Sequence, residues 1–279
     1  MNEAYRGEPV MLKRILFFAY GVVCYLAFLG TFLYAIGFIG NFGVPTTLDG
    51  PANGPLAAAL AVNTALLGLF AVQHSVMARA WFKQRWTRIV PRPIERATYV
   101  LFSSAALILL FWQWRSMGGE VWSVNSPTVA LVLRGLFAFG WTLVLVSTFL
   151  IDHFDLFGLR QVWLYLRGAP YTPRQFVTPG LYRLVRHPLY VGWFFAFWMT
   201  PTMTLAHLLF AVATTSYILI AIQFEEHDLV REYGELYEEY RRRVPMLVPR
   251  ALVARTVAGP RHDRDGAKRS AAAAANLHR

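Results

Sequence analysis

The sequence predicts an all-α, polytopic integral-membrane fold of about six spans, and three observations carry that reading. Hydrophobic residues make up 56% of the 279 positions and charged residues only 15%. The apolar residues come in runs of about 20, the length that takes an α-helix across a hydrocarbon layer roughly 30 Å thick with its backbone hydrogen bonds satisfied internally. Lys and Arg collect between alternate runs, as expected when basic connections stay on the cytoplasmic side.

The first span runs from about Ile15 to Ile39, behind Lys13 and Arg14. It exceeds the apolar core of a signal peptide and no small-residue cleavage pattern follows it, so it is expected to be retained. The next loop, Gly40 to Pro55, has no Lys or Arg. The second span covers Leu56 to Met77, and Arg79, Lys83, Arg85, Arg88, Arg92 and Arg96 crowd the connection after it. The third covers Ala97 to Trp114 and the fourth Val129 to Ile151, followed by Arg160, Arg167, Arg174, Arg183 and Arg186. The N-terminus and the even-numbered connections are thus expected to be cytoplasmic.

One helix over Leu189 to Gln223 would carry the Arg-rich C-terminal region to the opposite side from the Arg-rich fourth connection. A helical hairpin with arms Tyr190 to Thr200 and Leu205 to Gln223, turning at Pro201-Thr202-Met203-Thr204, removes that conflict. Pro201 has no amide to leave unpaired, and threonine side chains can serve freed backbone groups. The hairpin makes both termini cytoplasmic and brings His187 and Glu225 to one depth. Residues 224 to 243 read as a cytoplasmic amphipathic helix with Leu229, Tyr233, Leu236, Tyr237 and Tyr240 on one face. The membrane domain is assigned to residues 1–249 and a disordered basic tail to 250–279.

The formal charge of +11 does not indicate a nucleic-acid partner, because the cations lie between spans and in the tail, not on one face of a folded module. The lipid bilayer is the expected partner. A single cysteine, Cys24 in the first span, leaves no disulfide framework or thiolate cluster.

Ionisable groups at the mouths of spans are costly unless they face a cavity or a partner. One such set is Arg186, His187, Tyr190 and Gly192 with Glu225 and Glu226. A zwitterionic sulfonium cofactor such as S-adenosylmethionine offers a carboxylate for Arg186, an amino group for a glutamate and a cation for aromatic faces. The residues alone also allow a plainer reading, in which His187-Pro188 starts a helix and Glu225 pairs with a loop arginine.

The run Thr178-Pro179-Gly180-Leu181-Tyr182-Arg183-Leu184-Val185-Arg186-His187-Pro188-Leu189-Tyr190-Val191-Gly192, then Glu225-Glu226, Tyr233-Gly234, Tyr237, Tyr240 and Val244-Pro245, resembles the C-terminal signature of the isoprenylcysteine carboxyl methyltransferase and phospholipid methyltransferase superfamily. The resemblance covers about the last third of the ordered chain. It implies that the region binds S-adenosylmethionine at the cytoplasmic face, with His187, Tyr190, Gly192, Glu225 and Glu226 lining the pocket beside Arg186. Gln73-His74-Ser75-Val76-Met77 and Asp152-His153-Phe154-Asp155-Leu156-Phe157-Gly158-Leu159-Arg160-Gln161 are similar to the nurim-like branch, which includes bacterial methanethiol S-methyltransferases. This second resemblance extends the likeness over most of the chain and implies a small-thiol acceptor, with methanethiol converted to dimethyl sulfide. An isoprenylated cysteine carboxylate, a phospholipid headgroup or a non-catalytic membrane scaffold are the alternatives.

Transfer to sulfur needs a thiolate, and alkyl thiols are mostly protonated at neutral pH, with even cysteine near about 8.5. His74, Asp152, His153 and Asp155 are the candidates to take that proton, directly or through water. A divalent metal held by some of them is the weaker variant, since no cysteine ligands or tight His-x-x-His spacing support it. The aromatic run Trp193 to Trp198 and Trp112, Trp114 and Trp141 read as lipid-facing or packing residues, and His207 as an outer-surface residue away from the site.

Overall fold

The computed structural model describes residues 8–172 and 176–249. The proposed basic tail and Arg174 lie outside the described residues. In chain order the helices are α1 (Glu8–Gly40), α2 (Leu56–Ala78), α3 (Ala80–Trp86), α4 (Arg92–Gln113), α5 (Pro127–Ile151), α6 (His153–Leu156), α7 (Leu159–Leu166), α8 (Pro188–Trp198), α9 (Leu205–Tyr233) and α10 (Glu235–Arg243). Two short strands, β1 (Glu120–Ser123) and β2 (Thr202–Thr204), pair antiparallel.

Helices α1, α2, α4, α5 and α9 are each long and apolar enough to cross a membrane, so the chain is a multi-pass integral membrane protein. Their starts follow from local chemistry. Proline occupies the first turn of α4, α5 and α8, where its missing N–H would have had no helical partner. Thr204 caps α9, its hydroxyl accepting from the His207 amide at 3.2 Å.

The hairpin's first arm, expected over Tyr190 to Thr200 as one of six spans, does not cross the layer by helix alone. Helix α8 has only 11 residues, about 16 Å of rise, roughly half a membrane thickness. Extended chain covers the remaining depth: Met199 ends α8, and β2 pairs with β1 through Glu120 with Thr204, Trp122 with Met203 and Ser123 with Thr202. Helix α9 is continuous through Glu225 and Glu226 to Tyr233, so the amphipathic helix expected from residue 224 is the end of α9 plus α10. The break falls at Gly234, whose φ of +57° glycine adopts without a steric penalty.

The bundle packs α5 along α8, α4 against α1 and α2, and α7 against α1. The α5–α8 contact is tight because two glycines face each other. A Cβ on Gly192 would stand 2.8 Å from the Gly140 carbonyl oxygen, and one on Gly140 would stand 2.8 Å from the Gly192 oxygen. An aromatic core that includes Phe38, Phe111, Trp114, Trp141, Phe197 and Phe210 fills the centre. His207 is buried, correcting its expected surface position. Its ring bonds Asp49 at 3.0 Å and the Phe197 carbonyl at 2.9 Å.

Candidate functional site

The segment that opens α8 is pinned by the chain that leaves α10. The amides of Arg186 and His187 donate to the carbonyls of Pro245 and Met246 at 2.9 and 3.2 Å. Arg186 Nη1 donates to the Arg241 and Val244 carbonyls at 3.1 and 2.7 Å. Glu226, reaching in from α9, meets both side chains on one oxygen: Arg186 Nε lies 2.7 Å and His187 Nε2 3.0 Å from Oε1. All three side chains are close to fully buried, so the bonded guanidinium offsets the desolvation of the carboxylate.

Glu225 is placed differently. Its side chain is 45% exposed, Oε2 accepts from the Tyr190 hydroxyl at 2.7 Å, and Oε1 has no partner among the described residues. Its Oε2 stands 4.0 Å from His187 Nδ1, so His187 and Glu225 lie close together as the hairpin required, while the direct bond to the imidazole is made by Glu226. The His187 and Tyr190 rings stack at 5.4 Å.

Three phenols border this cluster. Burial pushes Tyr240 up to about 12, with Arg186 opposing and Glu226 adding to the rise, and its hydroxyl donates to the Tyr182 carbonyl at 2.7 Å. Burial likewise raises Tyr182, helped by Glu225, and Tyr237, helped by Glu226. All three therefore remain protonated donors at neutral pH. A separate cavity of ≈ 400 Å³, lined by Phe176, Thr178, Arg183, Tyr240 and Val244 among others, holds none of the cluster's carboxylates. Gly192 serves the contact with α5 described above.

The second set of sequence candidates divides in two. His74 lies under Tyr99, whose hydroxyl is 3.0 Å from both ring nitrogens, and its Nδ1 is 3.2 Å from the Ser103 hydroxyl. Ser103 gives its own proton to the Tyr99 carbonyl at 3.0 Å, so it accepts from His74 Nδ1–H and leaves Nε2 as the basic nitrogen. One residue on, Ser75 bonds Tyr217 across to α9 at 3.0 Å. The bond ties α2 to α9, the helix that carries Glu225 and Glu226 further along.

Asp152, His153 and Asp155 build a local structure instead. Asp152 has a φ of +153°, a backbone region that side chains rarely occupy, and its Oδ1 accepts from the Asp155 amide at 3.2 Å. Asp155 binds Arg160 at 2.8 Å and accepts from the amide of Gln161. Thr148 donates to the Leu145 carbonyl and so accepts from His153 Nδ1–H at 2.9 Å, while Nε2 lies 2.9 Å from the Tyr25 hydroxyl. Burial lowers the His153 pKa, against the opposing pull of Asp152. Among the described residues no group of three or more His, Cys, Asp or Glu side chains gathers as metal ligands. Asp155 also accepts from the Tyr171 hydroxyl at 3.3 Å, so its carboxylate is directed to Gln161, Arg160 and Tyr171. The partners Tyr99, Ser103, Tyr217 and Tyr25 were not among the sequence candidates.

The chain is 58% identical over 238 residues to the methanethiol S-methyltransferase of Crocosphaera subtropica, covering 85% of this chain and 93% of that one. It is 55% identical to the enzyme of the same name from Mycobacterium tuberculosis, over 85% of this chain and 98% of the relative. The chain belongs to the methanethiol S-methyltransferase family. It is a methyltransferase. Nurim of Mus musculus is a more distant relative of this methyltransferase, 30% identical over 62% of the chain and 69% of nurim. No protein-family model and no solved structure matches the chain.

Proposed function

We propose that this chain transfers a methyl group from S-adenosylmethionine to methanethiol, at the basic end of the bundle and on the cytoplasmic side. The observation that carries the acceptor is the 58% and 55% identity, over nearly the full length, to relatives named for that reaction. The donor set supports the cofactor. Glu225 keeps an oxygen for an amino group, Arg186 keeps its Nη2 for a carboxylate, and the His187 and Tyr190 rings offer a face to a cation. Glu226 acts by holding Arg186 and His187 in place.

S-adenosylmethionine supplies the methyl group on a sulfonium, and the products are dimethyl sulfide and S-adenosylhomocysteine. The chain's own task is to orient the acceptor and to take its proton, since the thiolate is the nucleophile. We assign the proton to His74 Nε2, directly or through the Tyr99 hydroxyl. The test is gas chromatography of the headspace above purified protein given S-adenosylmethionine and methanethiol. Dimethyl sulfide should accumulate with S-adenosylhomocysteine in equal amounts, and its absence from a folded, cofactor-binding preparation overturns the reading.

A further inference from the structure

We infer that Trp141 holds the acceptor's sulfur, its indole N–H donating to the thiolate. This rests on the methyl-transfer reading above and adds to it a binding contact for the second substrate. Trp141 is 5% exposed, and its Nε1 has no acceptor among the described residues. Leaving such a donor unpaired costs about 1–3 kcal/mol, and buried polar groups rarely go without a partner. Three other indoles find theirs: Trp114 donates to the Leu48 carbonyl at 3.0 Å, Trp198 to the Thr215 hydroxyl at 2.9 Å and Trp122 to the Thr200 carbonyl at 3.4 Å. Trp86, also without an acceptor, lies in α3, in the connection between two spans.

The surroundings of Trp141 specify the ligand's chemistry. Its ring packs T-shaped with those of Phe32 and Trp193, both at 5.1 Å between centroids. Trp193 lies one helical turn beyond Tyr190 on α8, so this aromatic wall continues the face of α8 that carries the Tyr190–Glu225 bond. A single N–H among T-shaped rings, which turn positive edges as well as faces toward one another, suits a small anion with one polar atom and a short alkyl group. A carboxylate or phosphate would ask for several donors. Methanethiolate matches, and a desolvated N–H beside the sulfur favours its charged form. The bond that forms joins the thiolate sulfur to the methyl carbon. The one that breaks joins that carbon to the sulfonium sulfur, and Trp141 keeps its proton.

The test uses the full chain in lipid nanodiscs. Trp141→Phe removes the donor and keeps a ring. It should lower kcat/KM for methanethiol about 10- to 100-fold, weaken calorimetric binding of methanethiol to the S-adenosylhomocysteine complex, and leave affinity for S-adenosylhomocysteine unchanged. Trp141→His, which retains a ring N–H, should recover part of the loss. Equal thiol affinity in wild type and Trp141→Phe overturns the assignment. That comparison stands even if the wild type makes no dimethyl sulfide, an outcome that would instead remove the functional reading. If Trp141→Phe fails to bind S-adenosylhomocysteine, the indole ¹⁵N–H resonance of Trp141 in the wild type decides: it must shift when methanethiol joins the complex, and a resonance that stays put overturns the assignment.

Discussion

His187 Nε2 lies 3.0 Å from Glu226 Oε1, a contact between residues 39 positions apart that ties the start of α8 to the far end of α9. Thr204 caps the other end of α9, and 21 residues of continuous helix between Leu205 and Glu226 rise about 32 Å. The 11-residue α8 and the extended chain after it must therefore cover the same depth. The charged cluster and the β1–β2 pair thus mark opposite ends of the bundle.

Glu225 and Glu226, neighbours in sequence, should separate binding from stability. Glu226→Gln leaves Arg186 and His187 without their shared carboxylate and should lower thermal stability by about 3–5 kcal/mol, the usual result of removing one partner from a buried ion pair. Glu225→Gln should leave the melting temperature within a degree or two while weakening S-adenosylhomocysteine roughly tenfold or more, by about 1.4 kcal/mol per factor of ten. Paired calorimetry and thermal scans check this. Equal effects of the two substitutions on both measurements would remove the division of roles.

The orientation follows from labelling. Cys24, the chain's single cysteine, is fully buried, so background reaction is expected to be small. Glu120→Cys, exposed on β1, should react with a membrane-impermeant maleimide in intact cells, and Arg88→Cys in the connection after α2 only once the cells are opened. The reverse pattern would invert the topology and place the cluster outside.

The long spans were legible because uninterrupted apolar runs leave a helix as the form that satisfies its own backbone in lipid. Helix α8 was legible to within two residues at each end because Pro188 opens it and Pro201 follows it, but nothing local says that Thr202–Thr204 will pair with Glu120–Ser123, some 80 positions away. The charged cluster was visible as residue types at span mouths, but which carboxylate faces His187 depends on helix rotation at single-residue precision. Tyr99, Tyr217 and Tyr25 were hidden because a single phenol in an apolar span looks like bulk. The available signal was their hydroxyls, since a phenol tip buried in a membrane protein usually finds a partner. Trp141 was read as packing, and its unpaired N–H exists only in three dimensions.

His153 should give stability a measurable pH dependence. Burial holds its folded-state pKa below the ordinary value of 6.5, so the unfolded chain binds the proton more readily than the fold does. Its contribution is complete above about pH 6.5 and is lost as pH falls below that value. His153→Gln should cost about 1–3 kcal/mol at pH 8 by leaving Tyr25 and Thr148 imperfectly bonded, and should flatten the fall in stability between pH 6.5 and 5 relative to wild type. Denaturation curves of the two proteins across that range check this. Parallel pH profiles would mean that His153 titrates alike in both states.

His74 should separate chemistry from cofactor binding. Its Nε2 is the basic nitrogen of the Ser103–His74–Tyr99 arrangement, and the neighbouring Ser75 bonds Tyr217 on α9, the helix of Glu225 and Glu226. If His74 takes the thiol proton, His74→Gln should bind S-adenosylhomocysteine as the wild type does while kcat/KM for methanethiol falls roughly 10²–10⁴-fold at pH 7. Raising the pH toward the thiol's own pKa supplies thiolate from solution, so the variant should regain activity as pH rises while the wild type gains little. Tyr99→Phe should show a smaller loss with the same pH recovery, because it removes the relay but not the base. Asp155→Asn, which weakens the bond to Arg160, should lower stability without this pH-dependent rescue. Full activity of His74→Gln at pH 7 would move the proton to another group, and loss of S-adenosylhomocysteine binding in that variant would make His74 a structural residue of the cofactor site.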